Sequence, residues 1–247
     1  MKSVLIWDLP TRLFHWVLSS GFIVAAVISL LLGDDSPLFP YHAIIGLTIA
    51  LMVCLRVIWG VVGTRYARFS TFVFGPGAAI EYMKGTIVGG GKRYVGHNSG
   101  SAMAIFALLA LVLAMAITGV MLGQGNESVK DIHEILAWVA VGVAVVHVLG
   151  VAVHTLRHRE NIVASMIHGK KDAEPSDAIP SSKPVVAVIF LVIAGAWTVG
   201  LIRNYNPSTK TTTLPLIGTV LQLGENENEN DKDGAKNNNG NAKHDDD

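Results

Sequence analysis

Five stretches of this chain are too long and too evenly apolar to belong to a domain that folds in water. Leu13 to Leu32, His42 to Val62, Ala102 to Leu122, Ile132 to Leu156 and Val185 to Ile202 each approach the roughly 20 residues that a helix needs to cross a bilayer core. Helices of a soluble bundle would show a polar face every three to four residues. These do not, and Arg56 is the main charge inside them. The sequence therefore predicts an all-α integral membrane protein with five spans, surrounded by lipid.

Histidine is the exception to this apolarity. An imidazole in hydrocarbon needs a partner, so histidines in membrane-length segments are rare and usually functional. His15 and His42 stand at the ends of the first two stretches, and His133 and His147 lie in the fourth. Fourteen residues return a helix almost to the same face and advance it by about 21 Å. His133 and His147 thus share one face at two depths, and His42 and Arg56 repeat the spacing on the second stretch, running the opposite way. His42 falls level with His133, Arg56 falls near the level of His147, and His15 is the remaining partner for His147. Two bis-histidine sites stacked across the membrane follow: His42 with His133, and His15 with His147. By depth His154 competes for His15. Pairing it would separate the ligands of the fourth span by about 32 Å, the whole hydrocarbon thickness.

Axial imidazoles commonly hold haem iron, and two such haems would form a wire through the bilayer. The single cysteine, Cys54, lies mid-span and there is no Cys-x-x-Cys-His motif, so any haem is held non-covalently. Gly46, one turn after His42, leaves room for a flat macrocycle. His133 and Glu134 open like a His-Glu-x-x-His zinc motif, but Ala137 occupies the fifth position. Arg56 is costly in a span unless paired, and a haem propionate suits its bidentate fork. Arg12, one turn before His15, is a weaker candidate of the same kind. His97 and His154 lie toward that same end. For them an interfacial or hydrogen-bonded role is as common as one in binding quinone and passing its protons.

Basic residues set the expected orientation. Arg65, Arg68, Lys84, Lys92 and Arg93 connect the second and third spans, and Arg157, Arg159, Lys170 and Lys171 follow the fourth. The other two connections are acidic, with Asp34 and Asp35 in one and Glu127 and Asp131 in the other. The N-terminus is expected in the cytoplasm and the C-terminal tail in the periplasm, with no cleaved signal peptide. The expected divisions are a four-helix domain over 1–172, a linker over 173–184, the fifth helix over 185–202 and a low-complexity tail over 203–247. From Gly224 onward the chain holds 8 of its 19 acidic residues and only 3 of its 19 basic ones, a composition that cannot bury enough surface to offset chain entropy.

These residues together resemble the bacterial cytochrome b561 family of di-haem membrane cytochromes, which includes the b-type cytochrome subunits of nickel–iron hydrogenases. The matching pieces are WDLPTRLFHW from Trp7 to Trp16, the His42-to-Arg56 spacing followed by Trp59 and Gly60, Tyr66 to Phe69, Gly96 to Asn98, and His133, Glu134 and His147. They cover roughly Trp7 to Lys170. The resemblance implies that His15, His42, His133 and His147 ligate two b-type haems. It implies an inner-membrane cytochrome that moves electrons between a quinone pool and a periplasmic or membrane redox partner protein, a hydrogenase-like enzyme or a c-type cytochrome, with no nucleic acid involved. The alternative is a self-sufficient superoxide or quinone oxidoreductase. The family core has four spans, so the fifth helix and the tail are additions. The family usually reads His-Asn-Pro where this chain has Ser99, and Asn98 or Ser99 remains able to cap the third span.

Overall fold

The computed structural model describes residues 2–88 and 94–224. Lys92, Arg93 and the acidic repeat from Glu225 lie outside the described residues. All five expected spans form: α1 (Leu9–Val27), extended by a wider turn over Ile28–Leu32, α2 (Phe39–Val62), α4 (Ser99–Gly123), α5 (Lys130–His158) and α7 (Pro184–Arg203). Two shorter helices, α3 (Pro76–Val88) and α6 (Ile162–His168), lie in the connections. The starts of the spans are chemically marked. Asp8 caps α1 by accepting from the Thr11 N–H, with Pro10 in the first turn. Asn98 caps α4 by accepting from Ser101 N–H at 2.8 Å, as its sequence position predicts.

The spans divide into two groups. α1 and α2 pack closely, with α7 against both, and Gly21 lets Ile49 come so near that a side chain there would meet it at 2.9 Å. α5 pairs with α4, and α4 also touches α2. Among the described residues α5 has no extensive contact with α1 or α2, although its His133 faces His42 of α2. Burial follows this division. In α2, 44% of the spanning window is buried, against 6% in α5, so α2 is the centre of the bundle and α5 stands across a gap.

Each end is closed by a two-stranded antiparallel sheet. β1 (Lys2–Leu5) pairs with β2 (Lys170–Ala173), Lys2 opposite Ala173, and this end buries Ile6, Trp7, Tyr66, Ala173 and Ile179. At the other end β3 (Thr211–Thr213) pairs with β4 (Val220–Gln222). That hairpin seats Leu214, Leu221 and Leu223 on Ile44 of α2 and Leu201 of α7. Thr212 Oγ1 donates to the Leu201 carbonyl at 2.8 Å, meeting one of the carbonyls that a helix end leaves unpaired. The expected tail over 203–247 therefore begins too early: the chain stays folded through Gly224, because Leu214, Leu221 and Leu223 find an apolar seat on two helix ends.

Candidate functional site

The gap between α5 and the α1–α2 pair holds imidazoles at two levels. At the β3–β4 end, the upper level, His42 and His133 face each other with ring centres 6.4 Å apart and planes at 75°. Their other ring nitrogens are occupied. His42 Nδ1 lies 2.9 Å from the Ala25 carbonyl, which can only accept, so Nδ1 carries the proton. His133 Nδ1 lies 2.8 Å from Thr118 Oγ1, whose own proton points to the carbonyls of Ala114 and Met115 at 3.1 Å. Thr118 therefore accepts from His133, and both histidines keep an unprotonated Nε2. Phe39 stacks on His42 at 5.5 Å and 11°, fixing its ring.

An unprotonated nitrogen on each of two neighbouring rings suits a shared Lewis acid. Imidazoles on opposite sides of one metal ion, each bonded at about 2 Å, would have ring centres roughly 6 Å apart, as here. Anchoring of the far ring nitrogen by a carbonyl or hydroxyl is the usual support of a metal-bound histidine. Among the described residues no group of three or more His, Cys, Asp or Glu side chains is placed to hold a bare ion. A cofactor that supplies its own equatorial ligands fits this donor set. At Gly46 a side chain would meet nothing within 4 Å, so the face beside His42 is open, as the sequence predicts for a flat macrocycle.

At the β1–β2 end, the lower level, His15 lies near enough to His147 to feel its charge. His15 Nδ1 is buried without a partner, as are Arg56 Nη1 and His97 Nε2. Arg56 lies over the Phe69 ring at 4.9 Å. His97 sits between Trp7 and Phe72, with ring centres 4.7 and 4.4 Å away. Burial, then the charge of Arg56, pushes His97 down to about 3, so it is neutral near pH 7. Buried donors without acceptors are costly, and a cation among them suits an anionic ligand. The carboxylates of a haem match that requirement.

The remaining candidates divide. Arg12 gives Nη1 to the Ile167 carbonyl of α6 at 2.5 Å, and its buried Nε lacks a partner. His154 lies outside this cluster: its Nδ1 is 2.7 Å from Tyr82 Oη, and its Nε2 is 3.7 Å from Glu160, which pairs with Lys171 at 2.9 Å. Sequence reasoning missed Tyr82, Glu160, Thr118, Phe39 and the anchoring role of Asp8. Asp8 alone carried a signal, as an acidic residue opening a helix two residues before a proline.

Imidazoles facing across a helical bundle at His42 and His133, with no covalent attachment motif, fit a membrane b-type cytochrome, a carrier of electrons. A match to the family model described as prokaryotic cytochrome b561 spans residues 6–169. The chain belongs to that family. It is 26% identical over 215 aligned residues to the probable Ni/Fe-hydrogenase B-type cytochrome subunit of Rhizobium leguminosarum bv. viciae, covering 69% of this chain and 89% of that protein. The counterparts from Bradyrhizobium diazoefficiens and Cupriavidus necator are 25% and 23% identical, over 68% of this chain and 86% and 87% of theirs. No solved structure matches the chain.

Proposed function

We propose that the chain holds two b-type haems, one between His42 and His133 and one between His15 and His147, and passes electrons between a quinone pool and a redox partner protein. The observation that carries this reading is the upper pair, whose ring centres lie 6.4 Å apart while both Nδ1 atoms are anchored. Haem iron supplies the one-electron chemistry. The protein's part is to fix the four imidazoles, exclude water with its apolar helices and neutralise the haem carboxylates with Arg56, helped by Arg12. Fourteen residues of α5 separate the two levels, about 21 Å of rise.

A quinone fits at the lower end. An open cavity of about 430 Å³ there is lined by Tyr66, Phe72, Phe74 and His97 among others, the mixture of aromatic walls and a few polar groups that small-molecule sites use. His97, which lines that cavity, is the group assigned to quinone binding, and His154, outside it, to passing protons. The relatives' names as hydrogenase cytochrome subunits support a hydrogenase-like partner. Arg65, Lys170 and Lys171 gather at the β1–β2 end, and Asp34, Asp35 and Glu127 at the other. That asymmetry supports an inner-membrane protein with the β1–β2 end in the cytoplasm and the β3–β4 end in the periplasm.

Purified protein should contain two haems per chain, both released by acid acetone because no thioether holds them. A ratio near one, or haem that stays with the denatured chain, would contradict the proposal.

A further inference from the structure

Asp8 is buried to 1% exposure and is held by neutral groups. It accepts from the Thr11 N–H at 2.8 Å, from Trp59 Nε1 at 3.2 and 3.3 Å to its two oxygens, and from Thr64 Oγ1. Among the described residues no Lys or Arg nitrogen lies within ion-pair distance of it. None of these bonds requires a charge. Asn, Ser and Thr cap helices as well as Asp, and an amide oxygen accepts from an indole or a hydroxyl. A buried carboxylate without a direct counter-ion is nevertheless expensive, by several kcal/mol in rough terms.

Its charge acts on two groups. Arg56 and Arg12 both feel Asp8, and each has a buried guanidinium nitrogen without a partner. Asp8 opens α1, seven residues before His15, and its bonds to Trp59 and Thr64 tie that helix to the end of α2, which carries Arg56. It therefore fixes two components of the lower site relative to one another and adds a negative charge beside them.

We propose that Asp8 is a positioning residue whose charge lowers the reduction potential of the lower haem. The inference rests on the two-haem reading. The ferric state carries one more positive charge than the ferrous state, so a nearby anion favours it. Asp8 also draws on the charge that Arg56 would otherwise give wholly to the haem carboxylates, and both effects have the same sign.

Redox titration of the purified two-haem protein tests this. Asp8→Asn keeps the cap and the acceptors but removes the charge. It should raise the lower haem's potential by the equivalent of a roughly tenfold change in its reduction equilibrium, about 59 mV for one electron, and leave the upper haem in place. Arg56→Leu should move the same haem the opposite way. Trp59→Phe removes a bond to Asp8 without altering charge, and should not raise the potential. An unmoved lower haem, equal shifts in both haems, loss of the lower haem in Asp8→Asn, or an equal rise in Trp59→Phe would each overturn the inference. If the unaltered protein held fewer than two haems, the two-haem reading itself would fail.

Discussion

Thr118 serves the upper site with a single oxygen. Its proton is directed to carbonyls of its own helix, so the lone pair facing His133 is an acceptor and the imidazole must present Nε2 to the gap. Valine has nearly the same shape and offers no lone pair. Thr118→Val should leave the bundle intact and weaken haem retention at the upper site by about 10–100-fold, the usual cost of losing a group that orients a metal ligand. Thr118→Ser should retain most of the affinity. Haem dissociation to an apoprotein scavenger measures this, and unchanged retention in the valine variant would show that His133 is oriented by something else. His42 uses a backbone carbonyl for the same purpose, so no side-chain substitution at position 25 can remove it.

Among the elements, the β3–β4 hairpin is the one whose stability depends on a few side chains. Leu221 is 2% exposed and sits on Ile44 and Leu201 with Leu214 and Leu223. Leu221→Ala should cost about 2–5 kcal/mol through lost burial and the cavity left behind. The loss should appear as faster proteolysis between residues 205 and 224, with the spanning helices unaffected; proteolysis at the unaltered rate would mean the hairpin is held by its backbone bonds alone. The spans and the approach of His42 to His133 were legible in the sequence because length, hydropathy and a fourteen-residue interval are local signals carried along one helix. The sheets were not. β1 finds its partner about 170 residues away, and nothing in Lys170–Ala173 marks it as a strand before the bundle brings the two ends together. The hairpin was hidden for a related reason, since its leucines gain an apolar seat only when α2 and α7 end side by side. Arg56 and His97 were legible as polar residues near the lower level, but the separation of His154 from them depends on Tyr82 and Glu160, which lie far from it in sequence or across a turn.

At the scale of the whole molecule, α1, α2 and α7 form one side and α4 and α5 the other, with His42 and His133 facing across the gap. In the proposed arrangement α5 supplies one histidine to each haem, while α1 and α2 each serve one. α7, beyond the family's four-span core, packs on α1 and α2 on the side away from α5, joining its Phe190 and Ala194 to Phe14, Met52 and Trp59. It braces the helices that present His15 and His42. The most direct measurement on this arrangement is a redox titration of the four single histidine variants and of His154→Ala, in which each haem is recognised by its potential. His15→Ala and His147→Ala should each lose the same haem, His42→Ala and His133→Ala should each lose the other, and His154→Ala should retain both. A haem lost in His154→Ala but kept in His147→Ala, or any crossing of the two pairs, would contradict the account.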